Sequence, residues 1–453
     1  MTIFNHKRLT NETFKLDIER MRQGWYSDKY FVNIAQTLQA LAQQGYRFSG
    51  QAKHLMQAGV DLSDLATGEL EVEMQVFTRR GRTLIAGVDK ALSMLRHCTG
   101  YADEKDKFHE TWSRLEVEAV QDGVITRYRG DARQVEPVLR VRGPYRDFAL
   151  LETPILGALT RASRVATNVY NTLEAARGKP VLFFPARFDA HEVQAADGYA
   201  YDIAVNRFNQ DYQQHVGSFV STDAQGDWWG GFGGGTVAHA AIACFLGDTV
   251  EAMLAFSAVQ PSEIPRIALV DFNNDSVGTS LAVLKAMFER YHEALELGQA
   301  DAVRYKLYGV RLDTSGTMRD VSIPPLGDKK LDNGVNPRLC WTIRQALDNA
   351  WQAWDLEPQW HGRAAEYCRE VQIVVSGGFN PKKITWFESL NVPVDVYGVG
   401  SSLVSNDSAT GTNTDFTADV VQVKINGEWV NMAKIGRQAN DNSDLEPVAL
   451  NQL

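Results

Sequence analysis

Tyr308-Gly309-Val310-Arg311-Leu312-Asp313-Thr314-Ser315-Gly316 is a short, largely apolar run that stops on polar and small residues. Period-two alternation puts Arg311 and Asp313 on the same face, so one strand end carries a cation and an anion together. Four more runs of this kind follow the same rule: Val181 to Pro185, Ala268 to Asp271, Val371 to Val375 and Val394 to Tyr397. Each is separated from the next by stretches with helical spacing, and polar residues fall just after several of them. Such strand–helix alternation predicts a parallel α/β arrangement, an irregular TIM-like (β/α) barrel with its site at the strand C-termini.

Working outward from that barrel, assigned to residues 151–405, the upstream sequence changes character. Val32 to Gln44 has apolar residues at helical spacing, whereas Leu70-Glu71-Val72-Glu73-Met74-Gln75-Val76-Phe77 alternates with period two. Leu115 to Val120 and Val138 to Pro144 add strand-like runs, the second ending on Gly-Pro turn chemistry. Residues 1–150 therefore read as an α+β domain. From Phe148 to about Ala176 the pattern turns helical, with Leu150, Leu151, Ile155 and Leu156 forming a stripe. Asn406 to Phe416 reads as a loop. Val420 to Ile425 and Glu428 to Val430 then flank Asn426-Gly427, the strongest short hairpin signal. Residues 406–453 are thus a linker and a hairpin returning to the N-terminal domain, with a polar tail after Arg437 expected to fray.

With 453 residues, 44% hydrophobic, the chain can bury a large core in two domains. A net charge of −10 and a pI near 5.5 exclude a generic nucleic-acid surface while still allowing cations to gather in one anion pocket. Cys98, Cys244, Cys340 and Cys368 are scattered without Cys-x-x-Cys spacing, which predicts reduced core thiols rather than a disulfide framework or a zinc site. Neither a signal-peptide run nor an apolar stretch near the roughly 20 residues of a membrane helix is present, so a cytoplasmic protein without membrane partners is expected.

The chemistry concentrates in glycine-rich turns. Gly230 to Gly235 lead into Gly234-Gly235-Thr236-Val237-Ala238-His239, where backbone amides at a helix start can hold an anion and an imidazole stands nearby. A neutral imidazole can attack a phosphoryl group. Val375-Ser376-Gly377-Gly378 and Gly398-Val399-Gly400-Ser401 each follow a predicted strand, so the two turns can present N–H groups to one phosphate. Arg311 suits a carboxylate or phosphate, and Asp313 suits hydroxyl donors or positive charge developing in a reaction. A mutual salt bridge of the pair is the alternative.

Taken in order, these motifs resemble the nicotinate phosphoribosyltransferase family, a type II phosphoribosyltransferase fold, over roughly Asp28 to Arg437. Ser163-Arg164-Val165-Ala166-Thr167 and the Val138-Leu139-Arg140-Val141 string fit the same family. The resemblance implies transfer of a phosphoribosyl group from phosphoribosyl pyrophosphate to nicotinate, giving nicotinate mononucleotide and pyrophosphate in NAD salvage. It implies ATP as co-substrate, with His239 as a transient phosphohistidine, and Mg²⁺ bound with phosphoribosyl pyrophosphate and ATP, with no protein metal ligand assigned. It further implies a homodimer with shared sites, in which Tyr30 of Asp28-Lys29-Tyr30 stacks on the pyridine from the neighbouring subunit. Thr236, Arg187 and Asp271 are the remaining substrate-binding candidates.

Two departures from the family stand out. Where its members carry two consecutive arginines, this chain has Arg187-Phe188. Leu269-Val270-Asp271-Phe272-Asn273-Asn274-Asp275 lacks the family's threonines and spaces its carboxylates one residue further apart, so Asp271 and Asp275 read as ligands of the magnesium-bound diphosphate or ribose, or as caps. His191, Tyr199 and Asp202 accompany the site region and read individually as structural. Arg79, Arg80, Arg82, Lys382 and Lys383 are pyrophosphate contacts or solvated charges, and Lys434 resembles the lysine element near the family's C-terminus. Quinolinate or nicotinamide as the accepting pyridine, a sugar-phosphate lyase using Lys382 as a Schiff base, and a non-catalytic nucleotide-binding relative are the other readings; the lyase has no use for His239.

Overall fold

A computed structural model describes residues 4–235, 237–407 and 414–453. Two sheets organise it. The first is antiparallel and six-stranded, in the order Glu428–Asn431, Phe416–Ile425, Glu71–Thr78, Leu139–Pro144, Glu116–Ala119 and Glu446–Pro447. The expected strands therefore form, and the C-terminal hairpin lies along the N-terminal strand, with Val76 opposite Ala418. Its two-residue turn has Asn426 and Gly427 at φ 53° and 86°, the doubly positive conformation that an Asn-Gly pair adopts readily.

Alternation in Glu71–Thr78 sends Val72, Met74 and Val76 into an apolar core with Leu92, Leu95, Val141 and Ile155. Glu73 and Gln75, on the opposite face, are buried as well, because polar chain covers them. Arg142 donates to Glu73, Gln75 exchanges two hydrogen bonds with the Asn440 backbone, and Arg140 binds Glu118 and Asp441. The polar tail after Arg437 is thus held rather than frayed. A buried polar strand face needs partners, and the tail supplies them.

The helix Glu152–Ala175 joins the two cores. Ile155 and Leu159 pack on the antiparallel sheet, whereas Val165, Ala166, Val169 and Leu173 pack on the second sheet. That sheet is parallel, in the order Val181–Phe183, Val396–Val399, Gln372–Val375, Leu307–Leu312 and Arg266–Leu269. Isolated parallel bridges extend it past Val181–Phe183, first to Val220 and then to Gly233. No hydrogen-bonded ladder among the described residues joins the Gly233 edge to the Arg266–Leu269 edge. Side chains cross that seam instead. Cys98, Cys340 and Cys368 are buried free thiols as expected, but Cys244 is exposed on the short helix His239–Cys244.

Candidate active site

Strand order brings distant segments to one rim. The segment after Val181–Phe183, the two glycine turns after the neighbouring Val396–Val399 and Gln372–Val375 strands, and Asp313 after Leu307–Leu312 lie side by side. They enclose a cleft of about 630 Å³ with His239, Gly234 and Gly235 on its other side. Arg187, Arg311, Asp313, Ser376, Gly377, Gly378, Gly398, Gly400 and Ser401 all line it. The remaining candidates fall elsewhere. Thr236 lies outside the described residues. Asp271 sits behind His239, and Tyr30 projects from the helix Lys29–Gln43, 63% exposed, with its hydroxyl donating to Asp28 at 3.1 Å.

Gly377 and Gly378 adopt φ 85° and 70°, consecutive left-handed conformations that side-chain-bearing residues resist. A Cβ on Gly377 would stand 3.2 Å from the Asp313 carboxylate. The turn is tied to the neighbouring strand end by Ser376, whose hydroxyl donates to Asp313 Oδ1 at 2.9 Å. From behind, Lys383 Nζ donates to the Gly377 carbonyl at 3.4 Å while resting 4.0 Å over the Phe379 ring. Burial pushes the Lys383 ammonium down to about 8. The second turn owes its glycines to aromatic neighbours: a Cβ on Gly400 would collide with the Phe188 ring, and one on Gly398 would press on Phe184. Phe188 therefore fills space beside Gly400, under a guanidinium from Arg187 whose carbon is 5.4 Å from the ring centroid.

Arg311 is half-buried and forms no ion pair with Asp313 or any other described carboxylate, which answers the salt-bridge alternative. Its Nη2 reaches the Val237 carbonyl at 3.4 Å, and its Nε has no partner among the described residues. Burial lowers its affinity for the proton, while Asp313 and Asp271 raise it and Arg187 lowers it further. A partly desolvated guanidinium without an ion-pair partner can accept an anion, since a carboxylate or phosphate offsets the cost of its burial.

His239 opens its helix with 45% of the side chain exposed. Its Nε2 lies 3.0 Å from Asp271 Oδ1, across the seam of the parallel sheet. Burial raises the Asp271 pKa; the His239 charge and hydrogen bond oppose this, and Asp313 adds to it. A carboxylate accepts from Nε2–H, which leaves Nδ1 with the lone pair. In this arrangement Nδ1, the nitrogen Asp271 does not engage, can act as a nucleophile.

Other candidates resolve into structure. Asp275 caps the helix Ser276–Glu296, accepting from the Gly278 N–H at 2.9 Å. Tyr199 is buried and donates to Asp122, Asp202 accepts from Ser218 and Asn206, and His191 is exposed beside Glu192. Arg82 pairs with Glu174, and Arg79, Arg80, Lys382 and Lys434 are exposed away from the cleft lining. Ser221, Phe184 and Phe379 also line the cleft. Ser221 follows a single bridge residue, so no periodic run announces it. No cluster of three or more His, Cys, Asp or Glu able to hold a metal occurs among the described residues, and no described helix is long and apolar enough to cross a membrane.

Residues 61–163 match the model of the quinolinate phosphoribosyl transferase N-terminal domain. No curated protein sequence matches the chain. Among solved structures, nicotinate-nucleotide pyrophosphorylase from Pyrococcus furiosus is similar at 24% identity and a TM-score of 0.60, covering 96% of this chain and 85% of its own. Human nicotinic acid phosphoribosyltransferase is similar at 17% identity and a TM-score of 0.51, covering 88% of this chain and 75% of its own. At these identities the likeness establishes the fold: the chain has the type II phosphoribosyltransferase fold, an antiparallel N-terminal sheet joined to a parallel α/β barrel domain.

Proposed function

We propose that the chain is a pyridine phosphoribosyltransferase of NAD biosynthesis that joins nicotinate to phosphoribosyl pyrophosphate, with ATP acting through His239. The observation that carries this reading is the Arg311 guanidinium, without an ion-pair partner among the described residues, sharing one cleft with Asp313, two adjacent glycine turns and an imidazole. The turns at Ser376–Gly378 and Gly398–Ser401 suit the ribose 5-phosphate. Asp313, held by Ser376, is placed to offset the charge that develops at the anomeric carbon as the pyridine nitrogen attacks and pyrophosphate leaves. Arg311 or Arg187 suits the pyridine carboxylate.

Mg²⁺ belongs to this chemistry as the counter-ion of the diphosphate groups. Its ligands would be the substrates' phosphate oxygens and water, since magnesium is commonly bound largely through substrate phosphates. His239 contributes separately. Attack of its Nδ1 on the γ-phosphorus of ATP breaks the bond to the ADP oxygen, and later hydrolysis of the phosphoramidate frees phosphate, so the cycle can drive nucleotide synthesis. Asp271 keeps Nε2–H engaged throughout. Tyr30, exposed and outside the lining of its own chain's cleft, fits a stacking role in the site of a second subunit.

Quinolinate is the second reading, favoured by the N-terminal domain match. Against it, only Arg187 and Arg311 among the described residues bring full positive charge to the cleft, and Phe188 occupies the place of a further guanidinium. A panel of nicotinate, quinolinate and nicotinamide, each with phosphoribosyl pyrophosphate, Mg²⁺ and ATP, separates the readings by which pyridine releases pyrophosphate. Release with nicotinate alone supports the proposal. Release with another pyridine alone replaces the substrate, and borohydride trapping of a sugar phosphate on Lys382 in place of any release would favour a lyase.

A further inference from the structure

A second cavity, of about 230 Å³, lies between the N-terminal helices and the start of the helix Gln194–Tyr212 and shares no lining residue with the cleft. Its walls are mainly apolar: Phe14, Met94, Pro154, Ala158 and Trp228 contribute, and Phe14 meets Trp228 edge-on at 5.0 Å. Three charged residues line it. Arg161 has its charge compensated by a bidentate pair with Asp197 and a contact of 2.7 Å to Asp189. Glu192 is at the rim, its side chain 68% exposed and beside His191.

Lys90, on the helix Val88–Cys98, is the third. Its ammonium stands 5.2 Å from the centroid of the Trp228 ring and has no hydrogen bond or ion pair among the described residues. Burial lowers its affinity for the proton, with no neighbouring charge offsetting that effect. A cation on an aromatic face recovers part of its lost hydration, yet an anion would satisfy it far better.

We infer that this cavity is a binding site for a small aromatic monocarboxylate, its ring among Phe14, Met94 and Trp228 and its carboxylate on Lys90. Size, apolar walls and a single unpaired cation select the ligand class, because a dianion would leave one charge uncompensated and a neutral ring would leave Lys90 unsatisfied. The site does not depend on the reaction proposed for the cleft.

Benzoate is a suitable probe, with benzamide as its neutral counterpart, read by ¹⁹F NMR of the full chain labelled with 5-fluorotryptophan. Trp228→Phe assigns the reporting resonance. Benzoate should shift that resonance saturably at millimolar concentration, benzamide should not, and Lys90→Met should weaken binding at least tenfold. Gly157→Phe provides a second arm that leaves Lys90 in place: a Cβ at Gly157 meets nothing within 4 Å, so the added ring can plug the cavity mouth without a backbone clash. It should abolish the shift. No saturable shift in the wild-type protein, an equal shift with benzamide, or undiminished binding in Lys90→Met or Gly157→Phe would overturn the inference.

Discussion

His239 and Asp271 meet across the seam of the parallel sheet, Nε2 to Oδ1 at 3.0 Å, where no strand pairing joins the two edges among the described residues. One contact therefore connects the glycine-rich approach to the end of the Arg266–Leu269 strand and fixes the tautomer of the candidate nucleophile. Asp271→Asn keeps the size of the side chain but turns an amide toward Nε2. Phosphorylation of His239 by ATP should slow by about 10²–10⁴-fold, in the range typical of lost acid–base assistance, with little change in thermal stability. Rapid-quench labelling measures the rate, and an unchanged rate would remove Asp271 from the mechanism.

Asp313 is expected to act on the transfer itself. Asp313→Asn should preserve the fold and the Ser376 contact while lowering turnover at saturating substrate by about a hundredfold or more, the usual effect of losing about 2.7–4 kcal/mol of transition-state stabilisation. Steady-state pyrophosphate release provides the check. Near-wild-type turnover would assign Asp313 a structural role.

Lys383 makes stability rise with pH. Its folded-state pKa of about 8 lies below the ordinary 10.5, so between those values the unfolded chain binds the proton that the folded chain has released. Wild-type stability should therefore increase from pH 8 toward pH 10 relative to Lys383→Met, by something on the order of 1–3 kcal/mol. Urea unfolding of both proteins at the two pH values tests the sign. A wild-type-minus-variant stability that stays constant or falls between the two pH values would show that the ammonium is not desolvated behind the Gly377 turn.

Tyr30 and Asp313 should complement one another between chains. Tyr30→Ala and Asp313→Ala, each inactive alone, should recover activity when mixed under conditions of proven subunit exchange, since a shared site leaves some hybrid sites with both native residues. Hybrids without activity would place Tyr30 outside the site.

Much of this site was legible in the sequence because strand ends are marked by local pattern. Period two put Arg311 and Asp313 on one face, and Ser376-Gly377-Gly378 and Gly398-Val399-Gly400-Ser401 announced turns that the parallel order then set side by side. What stayed hidden depended on long-range contacts. The pairing of His239 with Asp271 spans 32 residues, Ser221 follows a lone bridge at Val220, and Lys383 acts through a carbonyl that any residue would possess. The tail misled for a related reason: its polarity suggested fraying, but Gln75 and Arg140 present a buried polar face that binds it. The Asp271–Asp275 spacing was ambiguous, and the choice fell to geometry, with one residue oriented to His239 and the other capping a helix.

The account turns on His239 as a phosphoryl acceptor, and intact-mass measurement after incubation with ATP and Mg²⁺ tests this most directly. A phosphoramidate hydrolyses once protonated, so the expected result is one added phosphate per chain that is lost in acid, survives base and is absent from His239→Ala, which should still form nucleotide slowly. Unchanged labelling in His239→Ala, or a wild-type protein that never acquires phosphate, would contradict the account.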